Sequence, residues 1–580
     1  MACARSGGNF FLAPNKAPTI LALFCAAALS SIINPAHAQQ AARAPIDPLQ
    51  SEKRLQELET EQRQAKKPPP RVPQVPRQEA AGTSVPLFKL RAVSIEGART
   101  IAPETLEAAY HPYLGRTVSQ HDLEEIAAAI SDIYRKAGYH LSRAIIPPQD
   151  VRTGELVVQV IEGSISDIRV TGEGGETFGV RRTLTPIARE RPSRLSTVER
   201  QLLLANDTPG VRVADTALEE IAPASGEFRL IVKVETWHIG AAVALDNTGT
   251  HAVGPLQAFG AAAFNSYLLP GDSLGLAMST VPNDTRNLRF GRAAYDVPVA
   301  DGFRVGVSAA HSEVRPSDFE RLTDTRTLTR SYELRGSFVP LATRETSLSF
   351  TAAFGMTDSS ENEVTGTDYS DKIRTLTLLA NYKLHDPLNG WNFFGLSWKQ
   401  GLPVLGATHA DDPMISRDGA TPNFSVLGYS YSRLQPLNDV WSIKASIAGQ
   451  MASGPLMISQ QFFLGGAGFG PGYYSGDNGY AASAELRFDQ KVDSEFLKAY
   501  QLYSFVDGGQ AWNVHDGRNS LVSAGVGVRL QLAKDTQASI ALAIPVSYSS
   551  QTEEFSRYRV LFSIAKAFRT CPDHPQWSCF

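Results

Sequence analysis

The sequence predicts a transmembrane antiparallel β-barrel of about sixteen strands, preceded by two small α+β domains and an N-terminal helix. Three observations lead to this fold class. Runs of about ten residues alternate apolar with small or polar side chains along residues 237–568. A unit of about 75 residues with the order β-α-α-β-β occurs twice within residues 87–236. An export signal begins the chain.

The first 38 residues have the three parts of a secretory signal peptide. Two basic residues precede an apolar run at residues 19–33, and a small-residue site predicts cleavage between Ala38 and Gln39. The apolar run is somewhat short for a membrane-spanning helix, so a retained anchor is the less favoured interpretation. We therefore expect the mature chain to be exported.

Two cysteines, Cys571 and Cys579, remain after that cleavage. Exported proteins meet oxidising surroundings, in which cysteine pairs form disulfides. We therefore predict one small disulfide loop within the C-terminal tail, residues 569–580.

Residues 39–86 precede the first domain and have an unusual composition. Asp47–Ala65, within residues 39–65, predicts a helix that is polar almost all round. Such a helix cannot pack on an apolar core, so it is either solvated or lies in a wet cavity. Residues 66–86 are rich in proline and predict an extended, semi-rigid linker that could reach roughly 60 Å.

Residues 87–163 and 164–236 are predicted to be two copies of one compact unit. In the first copy, Ser119 and Asp122 have the spacing of a capping box, which predicts the start of the second helix. Gly138 is placed to end that helix. Because an internal repeat is a stronger signal than either unit alone, we interpret the two units as paired domains.

Residues 237–568 have the pattern of a barrel with a wet interior. On each short run one face is apolar and the other is small or polar, and turn-forming clusters separate the runs. A soluble sandwich would alternate as well, but it rarely needs so long a helix-free sheet system and does not explain the export signal. Long polar loops are expected at residues 359–371 and 406–422.

A glycine-dense segment, Phe462–Phe488, interrupts this alternation. It contains five glycines between Gly465 and Gly472, and glycine permits both positive φ and close backbone approach. The segment therefore predicts a long loop folded tightly against another part of the protein. Its spacing does not match that of a phosphate-binding loop.

Together these parts resemble the outer-membrane transporters of two-partner secretion, the haemolysin and filamentous-haemagglutinin secretion/activation family. The repeated units resemble POTRA domains, periplasmic modules that bind polypeptide by strand addition at a sheet edge and in the groove beside a helix. The resemblance covers nearly the whole mature chain. Its most specific matches are residues 202–211 (LLLANDTPGV), 245–249 (LDNTG), 461–486 and 505–509 (FVDGG).

The resemblance also suggests candidate site residues. In that family a long loop, here residues 458–480, folds back into the barrel, and an arginine at its tip pairs with the aspartate of an F-x-D-x-G strand motif. The corresponding tip residues are Gly470, Pro471, Gly472 and Tyr473, of which Gly472 and Tyr473 keep their motif positions, and Tyr474 follows them at the tip. The corresponding strand residues are Phe505, Asp507 and Gly509.

Proline stands here in place of the arginine, so the arginine–aspartate pair does not carry over. Alternation along the strand places Asp507 on the lumen side. Its carboxylate is therefore solvated or paired with a cation from another strand, or the loop is placed by Tyr473, Tyr474 and the stiff Pro471.

The last predicted strand ends at Phe568. It resembles the aromatic C-terminal signal that outer-membrane barrels present to the barrel-assembly machinery. Because residues 569–580 follow, either Phe568 or the terminal Phe580 supplies that signal.

The resemblance implies an outer-membrane pore that recognises one large, unfolded, β-helix-forming exoprotein through its periplasmic POTRA domains and secretes it to the cell surface. The helix in residues 39–65 would plug the lumen and withdraw on its tether. The expected partners are this exoprotein, outer-membrane lipid and, during biogenesis, the barrel-assembly machinery and periplasmic chaperones. Two alternatives stay open: an assembly insertase of the same superfamily and, less favoured, a passive porin.

Composition and motifs disfavour other classes of function. A net charge of −4 gives no indication of a nucleic-acid partner. The sequence has no zinc-protease or P-loop motif, and we expect neither an enzyme nor a metal or cofactor site. Residues 271–275 spell G-x-S-x-G, but a turn leading into a β-patterned run is not the strand-turn-helix of a nucleophile elbow.

Overall fold

The computed structural model describes residues 47, 49–53, 69–73, 83–250, 252–316, 323–466, 470–514, 517–533, 535–547 and 558–569. The cleavage site at Ala38 and Gln39, the cysteines Cys571 and Cys579, and Phe580 lie outside these ranges, so the inferences about them stay predictions. No helix within the described ranges is long and apolar enough to cross a membrane.

The first α+β unit comprises β1 (Pro86–Lys89), β2 (Ala92–Glu96), α1 (Pro103–Glu107), a 3-10 turn (His111–Tyr113), β3 (Thr117–Ser119), α2 (Gln120–Lys136), β4 (Arg143–Ile145) and β5 (Glu155–Ile161). Its main sheet has the order β2-β5-β4, and β1 pairs with β3. Helix α2 begins where the capping box predicts. The Asp122 carboxylate accepts a hydrogen bond from the Ser119 amide at 2.7 Å, and the Ser119 hydroxyl accepts one from the Asp122 amide at 3.3 Å.

The second unit comprises β6 (Ser164–Thr171), α3 (Val180–Arg189), α4 (Leu195–Asp207), β7 (Val211–Glu220) and β8 (Glu227–Thr236). Its sheet has the order β6-β8-β7. Its core includes Leu184, Leu202 and Leu230, all fully buried. Leu141 of the first unit is also buried in this core, so the two units share apolar surface.

A closed antiparallel barrel follows, and its sixteen strands confirm the predicted fold class and strand number. The strands are β9 (Ile239–Asp246), β10 (Gln257–Asn265), β11 (Ser273–Thr280), β12 (Leu288–Ala300), β13 (Phe303–Val314), β14 (Arg326–Ala342), β15 (Thr346–Glu363), β16 (Gly366–His385), β17 (Trp391–Gly401), β18 (Ser425–Pro436), β19 (Trp441–Ala452), β22 (Asn478–Lys491), β23 (Leu497–Trp512), β24 (Arg518–Leu532), β25 (Thr536–Ser547) and β26 (Arg559–Arg569). The barrel closes where β9 pairs with β26, from Asp246 opposite Ser563 to Gly240 opposite Arg569.

Alternation along each strand separates a lipid-facing side from a lumen-facing side. On β23, Leu502 and Val506 are 47% and 48% exposed, whereas Phe505 is 5% exposed. The outward side chains are large and apolar, as a membrane-facing band requires. Phe568 also points outward from β26.

The barrel end at which β9 begins, called the inner rim below, carries the second α+β unit; the opposite end is the outer rim. Arg200 of α4 forms an ion pair of 2.6 Å with Asp301, in the β12–β13 turn, and donates to the Val339 carbonyl at 2.9 Å. The Phe178 and His238 rings lie with centroids 4.7 Å apart. Ionic contacts and ring packing therefore fasten this unit to the inner rim.

Residues 359–371 do not form the long loop expected from their polarity, and that expectation was wrong. β15 and β16 continue through this stretch, with Ser359 opposite Asp371 and Glu361 opposite Tyr369. Strands that extend beyond the membrane meet water on their outer face, so they lose the apolar alternation that marks the spanning part. Residues 406–422 do lie within the long β17–β18 connection.

His140 is a buried polar side chain where the two α+β units meet. It is 6% exposed, and neither ring nitrogen has a hydrogen-bond partner within the described part of the chain. Tyr139 belongs to the first core and Leu141 to the second. Burial disfavours the charged imidazolium and, with the nearby Arg135 cation, lowers the pKa of His140 to about 4.

This junction should lose stability as the pH falls from 6.5 towards 4. The unfolded chain takes up a proton at His140 near pH 6.5, whereas the folded chain does so only near pH 4, so protonation in this window favours unfolding. Between pH 6.5 and pH 5 we expect a loss of about 2 kcal/mol. The measurement is the urea midpoint for proteolysis of the two units in the detergent-solubilised protein.

His140→Leu should abolish this pH dependence because it removes the titrating group. The matched control is His121→Gln, which alters a histidine whose side chain is 40% exposed and should leave the dependence intact. An unchanged pH dependence in His140→Leu would contradict the prediction.

Candidate functional site

A β-hairpin from the connection between β19 and β22 lies inside the barrel. It consists of β20 (Phe462–Gly466) and β21 (Gly470–Gly476), with Leu464 opposite Tyr474. Both side chains are buried against Ala511 of β23 and Leu521 of β24. The glycine-rich segment thus folds inward against the lumen wall.

Two glycines of the wall make this close approach possible. A Cβ at Gly509 would lie 2.4 Å from the Leu464 side chain and 2.4 Å from the Tyr480 carbonyl oxygen. A Cβ at Gly479 would lie 2.3 Å from the Phe462 ring. Because non-bonded carbon atoms do not approach so closely, only glycine leaves room for the hairpin at these positions.

The loop-tip residues named from the sequence lie in β21. Gly470 begins that strand, and Pro471, Gly472 and Tyr473 follow it. The structure describes the backbone of these four residues but not the side chains of Pro471 and Tyr473. Tyr474 is buried in the cluster on the wall. The parts that Gly470, Pro471, Gly472 and Tyr473 play stay predictions.

Asp507 is half-buried on the lumen face of β23, opposite Ser483 of β22 and Ser523 of β24. Phe505 lies on the same face and packs with Ala541 of β25. The structure therefore brings the three strand-motif residues to one face, with Gly509 beneath the hairpin and Asp507 next to it along the strand.

Charged side chains lie between Asp507 and the inner rim. Arg529 pairs with Glu485 at 3.1 Å and lies 3.8 Å from the centroid of the Tyr503 ring. Glu485 also pairs with Arg487 at 2.5 Å. Most of these side chains line a lumen cavity of about 1070 Å³ together with Asp507. A polypeptide entering here would meet charges and an aromatic ring.

An ion pair with a buried carboxylate joins the base of the hairpin to a second outer connection. Asp477 follows β21, is fully buried, and pairs with Arg417 of the β17–β18 connection. Its carboxylate also accepts backbone hydrogen bonds from Leu456 at 2.8 Å and from Val514 at 3.1 Å. The β17–β18, β19–β22 and β23–β24 connections therefore all contact the Asp477 carboxylate.

Apolar contacts join the same two connections at the outer rim. Ala420 and Phe424, before β18, pack with Leu456 and Met457, after β19, and all four side chains are buried. The β17–β18 and β19–β22 connections thus form one packed unit.

The first turn of the N-terminal helix lies in the lumen beside the hairpin. Asp47 accepts a hydrogen bond from the Leu49 amide at 2.9 Å and pairs with Lys53 at 2.8 Å, so it caps this turn. The Lys53 ammonium lies 4.6 Å from the centroid of the Phe463 ring of β20. The rest of the predicted helix, residues 54–65, lies outside the described residues.

Glu52, on the same turn, faces charged side chains of the wall. Its carboxylate accepts a hydrogen bond from Ser331 of β14 and lies near the cations Arg292 of β12 and Lys399 of β17. Lys399 also donates to the Gln460 side chain at 3.1 Å. One polar network therefore joins the N-terminal turn, the wall and the inward loop.

Sequence reasoning missed Arg417, Asp477 and the wall charges around Glu52. Arg417 lies 60 residues from Asp477 along the chain and in a different connection, so no local sequence pattern links the two. The available signal was Asp477 itself, because a carboxylate buried in an inward loop requires a partner.

Comparisons with known proteins agree with this architecture. A family model described as haemolysin secretion/activation protein ShlB/FhaC/HecB matches residues 230–530, and one described as POTRA domain, ShlB-type, matches residues 88–163. The solved structure of CdiB from Escherichia coli matches with a TM-score of 0.74 at 20% identity, covering 91% of this chain and all of that one.

Two curated relatives span most of the chain. The heme/hemopexin transporter protein HuxB of Haemophilus influenzae (strain 86-028NP) is 24% identical, over 79% of this chain and 82% of its own length. The outer membrane transporter CdiB of Dickeya dadantii (strain 3937) is 24% identical, over 90% of this chain and 93% of its own length.

Gly509→Ala should displace the hairpin from its position against β23. The added Cβ overlaps both the Leu464 side chain and a backbone oxygen, so we expect a cost of about 1–3 kcal/mol. The measurement is the temperature at which the barrel loses its compact migration in detergent gel electrophoresis. Gly508→Ala is the control, because its Cβ would meet neighbours at an ordinary 3.5 Å. If both variants lose their compact migration at the same temperature, the hairpin does not pack tightly against Gly509.

Arg417→Met should loosen the outer connections. It leaves the Asp477 carboxylate buried without its cation, which costs about 3 kcal/mol. We expect faster cleavage of both connections by protease added to intact cells. Arg289→Met is the control, because that side chain is 55% exposed and 3.9 Å from Glu313. Equal cleavage of the two variants would show that the buried pair does not hold the connections.

Proposed function

Since the chain belongs to the haemolysin secretion/activation protein family ShlB/FhaC/HecB, we propose that it secretes one unfolded exoprotein, which its POTRA domains recognise in the periplasm. The chain is an outer-membrane two-partner secretion transporter with periplasmic POTRA domains. The unfolded exoprotein as the transported protein, and its passage through the lumen, are the proposed part. The observation that supports both is that the lumen is polar and holds segments of the chain itself.

The contents of the lumen support a conduit for polypeptide. The wall offers ion pairs, hydroxyl groups and aromatic rings, which suit a hydrated chain of mixed sequence better than an apolar pocket would. The N-terminal turn contacts this wall through polar and cation–π interactions. Such contacts can be replaced by water when the segment leaves, so the occupant is removable.

Chain connectivity supports a plug that runs from rim to rim. Lys53 lies beside the inward hairpin, whereas Pro70 contacts Arg344 in the β14–β15 turn at the inner rim. The predicted helix would rise about 18 Å from Lys53 to residue 65, and the extended residues 66–70 would add about 15 Å. Together they suffice to cross the apolar band of a barrel, about 25 Å tall. Residues 39–65 plug the resting lumen and withdraw on the linker of residues 66–86 during transport.

Transport itself needs a driving force other than a nucleotide. The client crosses unfolded and folds into a β-helix at the cell surface, and this folding makes its exit irreversible. Recognition in the periplasm uses strand addition at the POTRA sheets, whose edge strands include β2 and β7.

Removing residues 39–86 should open the pore. In planar bilayers we expect the full mature chain to be mostly closed with brief openings, and the deletion variant to conduct steadily. Glu52→Lys should also raise the open fraction, because a lysine there would face the cations Arg292 and Lys399, with Glu333 as the one carboxylate among the named neighbours of Glu52.

The control for Glu52→Lys is Glu104→Lys, the same charge change at an exposed position of α1, which should behave as the unaltered chain. Steady conductance of the full chain would favour a passive porin. If neither the full chain nor the deletion variant conducts, the plug-and-pore proposal fails and an assembly insertase becomes the better account.

A further inference from the structure

Two arginines of β14 point out of the barrel wall near the outer rim. Arg326 and Arg330 are an even number of positions from Leu334 along the strand, so these side chains lie on one face. That face meets lipid, because Leu334 and Tyr332 are large side chains that are 53% and 50% exposed. His311 of β13 lies opposite Arg330 and is exposed as well. The outer end of β14 therefore presents guanidinium groups to the surroundings of the barrel rather than to its lumen.

One carboxylate on this face is shared by several arginines. Glu313 of β13 pairs with Arg326 at 2.9 Å and with Arg315, which follows β13, at 3.1 Å. Arg289 of β12 lies 3.9 Å from the same carboxylate. A single negative charge thus faces three guanidinium groups.

Arg330 adds a further positive charge. It lies opposite Asp358 of β15, but that carboxylate pairs with Arg374 at 2.7 Å. Within the described part of the chain, positive charge is therefore in excess around Arg315, Arg326 and Arg330, which are called the arginine patch below. Guanidinium groups bind phosphate through paired hydrogen bonds, so the arginine patch suits a phosphorylated ligand.

The arginine patch begins where the apolar surface of β14 ends. The exposed apolar side chains of this strand run from Leu341, next to the inner turn, through Phe338 to Tyr332. This stretch spans about 30 Å along the strand, or about 23 Å along the barrel axis at a tilt of about 40°. Because the apolar band of a barrel is about 25 Å tall, Arg330 lies at the height of the headgroups in the outer leaflet.

An apolar groove lies directly below the arginine patch on the same lipid-facing surface. Its volume is about 490 Å³. Two of its lining residues, Ala293 of β12 and Ala309 of β13, are small and lie opposite each other. Larger side chains, among them Tyr332 and Met356, line the groove beside them. Since Tyr332 is two positions from Arg330 on one face of β14, the groove and the arginine patch adjoin.

The outer ends of β17, β18 and β19 carry no such charge. The lipid-facing side chains there are Gln400, Ser425 and Met451. The arginine patch therefore belongs to one sector of the barrel. A ring of cations would attract anionic lipid at any position, whereas one patch above one groove defines a site.

We propose that the arginine patch and the groove together bind a phosphorylated, acylated glycolipid of the outer leaflet, the class to which the lipid A part of lipopolysaccharide belongs. Arg326 and Arg330 contact a phosphate group, and one acyl chain lies in the groove over Ala293 and Ala309. The site is on the outside of the barrel, so it does not depend on which protein passes through the lumen.

The test measures binding of fluorescent lipopolysaccharide to the full mature chain in a non-ionic detergent. We expect saturable binding, which the double variant Arg326→Gln, Arg330→Gln weakens roughly tenfold because the phosphate loses its paired hydrogen bonds. The matched control is Arg152→Gln with Arg181→Gln. It removes two arginines of the α+β units whose side chains are 89% and 57% exposed, and it should leave the affinity unchanged.

Ala309→Leu tests the groove separately, because it fills the groove and leaves the charge unaltered. We expect weaker binding of lipopolysaccharide. The matched control is Ala524→Leu on β24, a lipid-facing position between the exposed Val506 and Ile544. Compact migration in detergent gel electrophoresis establishes that each variant has formed its barrel.

Two competitors identify the class of ligand. Inorganic phosphate should not displace lipopolysaccharide, because it has no acyl chain. Phosphatidylglycerol should displace it only at roughly tenfold higher concentration, because its one diester phosphate carries a single charge. Displacement by inorganic phosphate, or equal displacement by phosphatidylglycerol and unlabelled lipopolysaccharide, would overturn the assignment to a glycolipid.

Two results would overturn the site itself. In the first, the double arginine variant binds lipopolysaccharide as tightly as the unaltered chain. In the second, Ala309→Leu and Ala524→Leu bind it equally.

Discussion

Every backbone N–H and C=O group within the lipid must find its partner inside the protein, and the pairing of β9 with β26 meets this requirement. The rest of the structure depends on that closure. Because β9 follows directly after the second α+β unit, closure also brings that unit to the inner rim, where Arg200 fastens it. A ring of sixteen strands is too wide for its own side chains to fill, so the lumen has room for other segments, and the hairpin and the N-terminal turn lie in it.

The occupants are held by two kinds of contact. The hairpin of β20 and β21 packs against Gly479 and Gly509 of the wall and buries Leu464 and Tyr474. Shape complementarity therefore holds it in place. The N-terminal turn is held through Lys53 and Glu52, whose interactions are polar. Apolar packing is lost wholly when a segment departs, whereas polar groups recover much of their interaction with water. The wall therefore holds the hairpin mainly by apolar packing and the N-terminal turn mainly by polar contacts.

Local patterns made the barrel, the repeated α+β units and the start of α2 predictable from the sequence. Strand periodicity and the Ser119–Asp122 capping box each depend on residues a few positions apart. The partner of Asp477 was not predictable, because Arg417 comes from another connection and the two meet only after the barrel closes. Residues 359–371 were misjudged for a related reason. Their strands leave the membrane, and the environment that creates the apolar alternation ends there.

The strands also differ in length around the outer rim. β14, β15 and β16 have 17, 18 and 20 residues, whereas β9, β10 and β11 have 8, 9 and 8. A difference of roughly ten residues corresponds to about 30 Å along a strand. On the side formed by β14, β15 and β16, the hydrogen-bonded strands therefore extend beyond the lipid. The strands β9, β10 and β11, next to the seam where the barrel closes, do not extend as far. An antibody or a bacteriophage arriving from outside would find the turn at residues 364–365 exposed on this tall side.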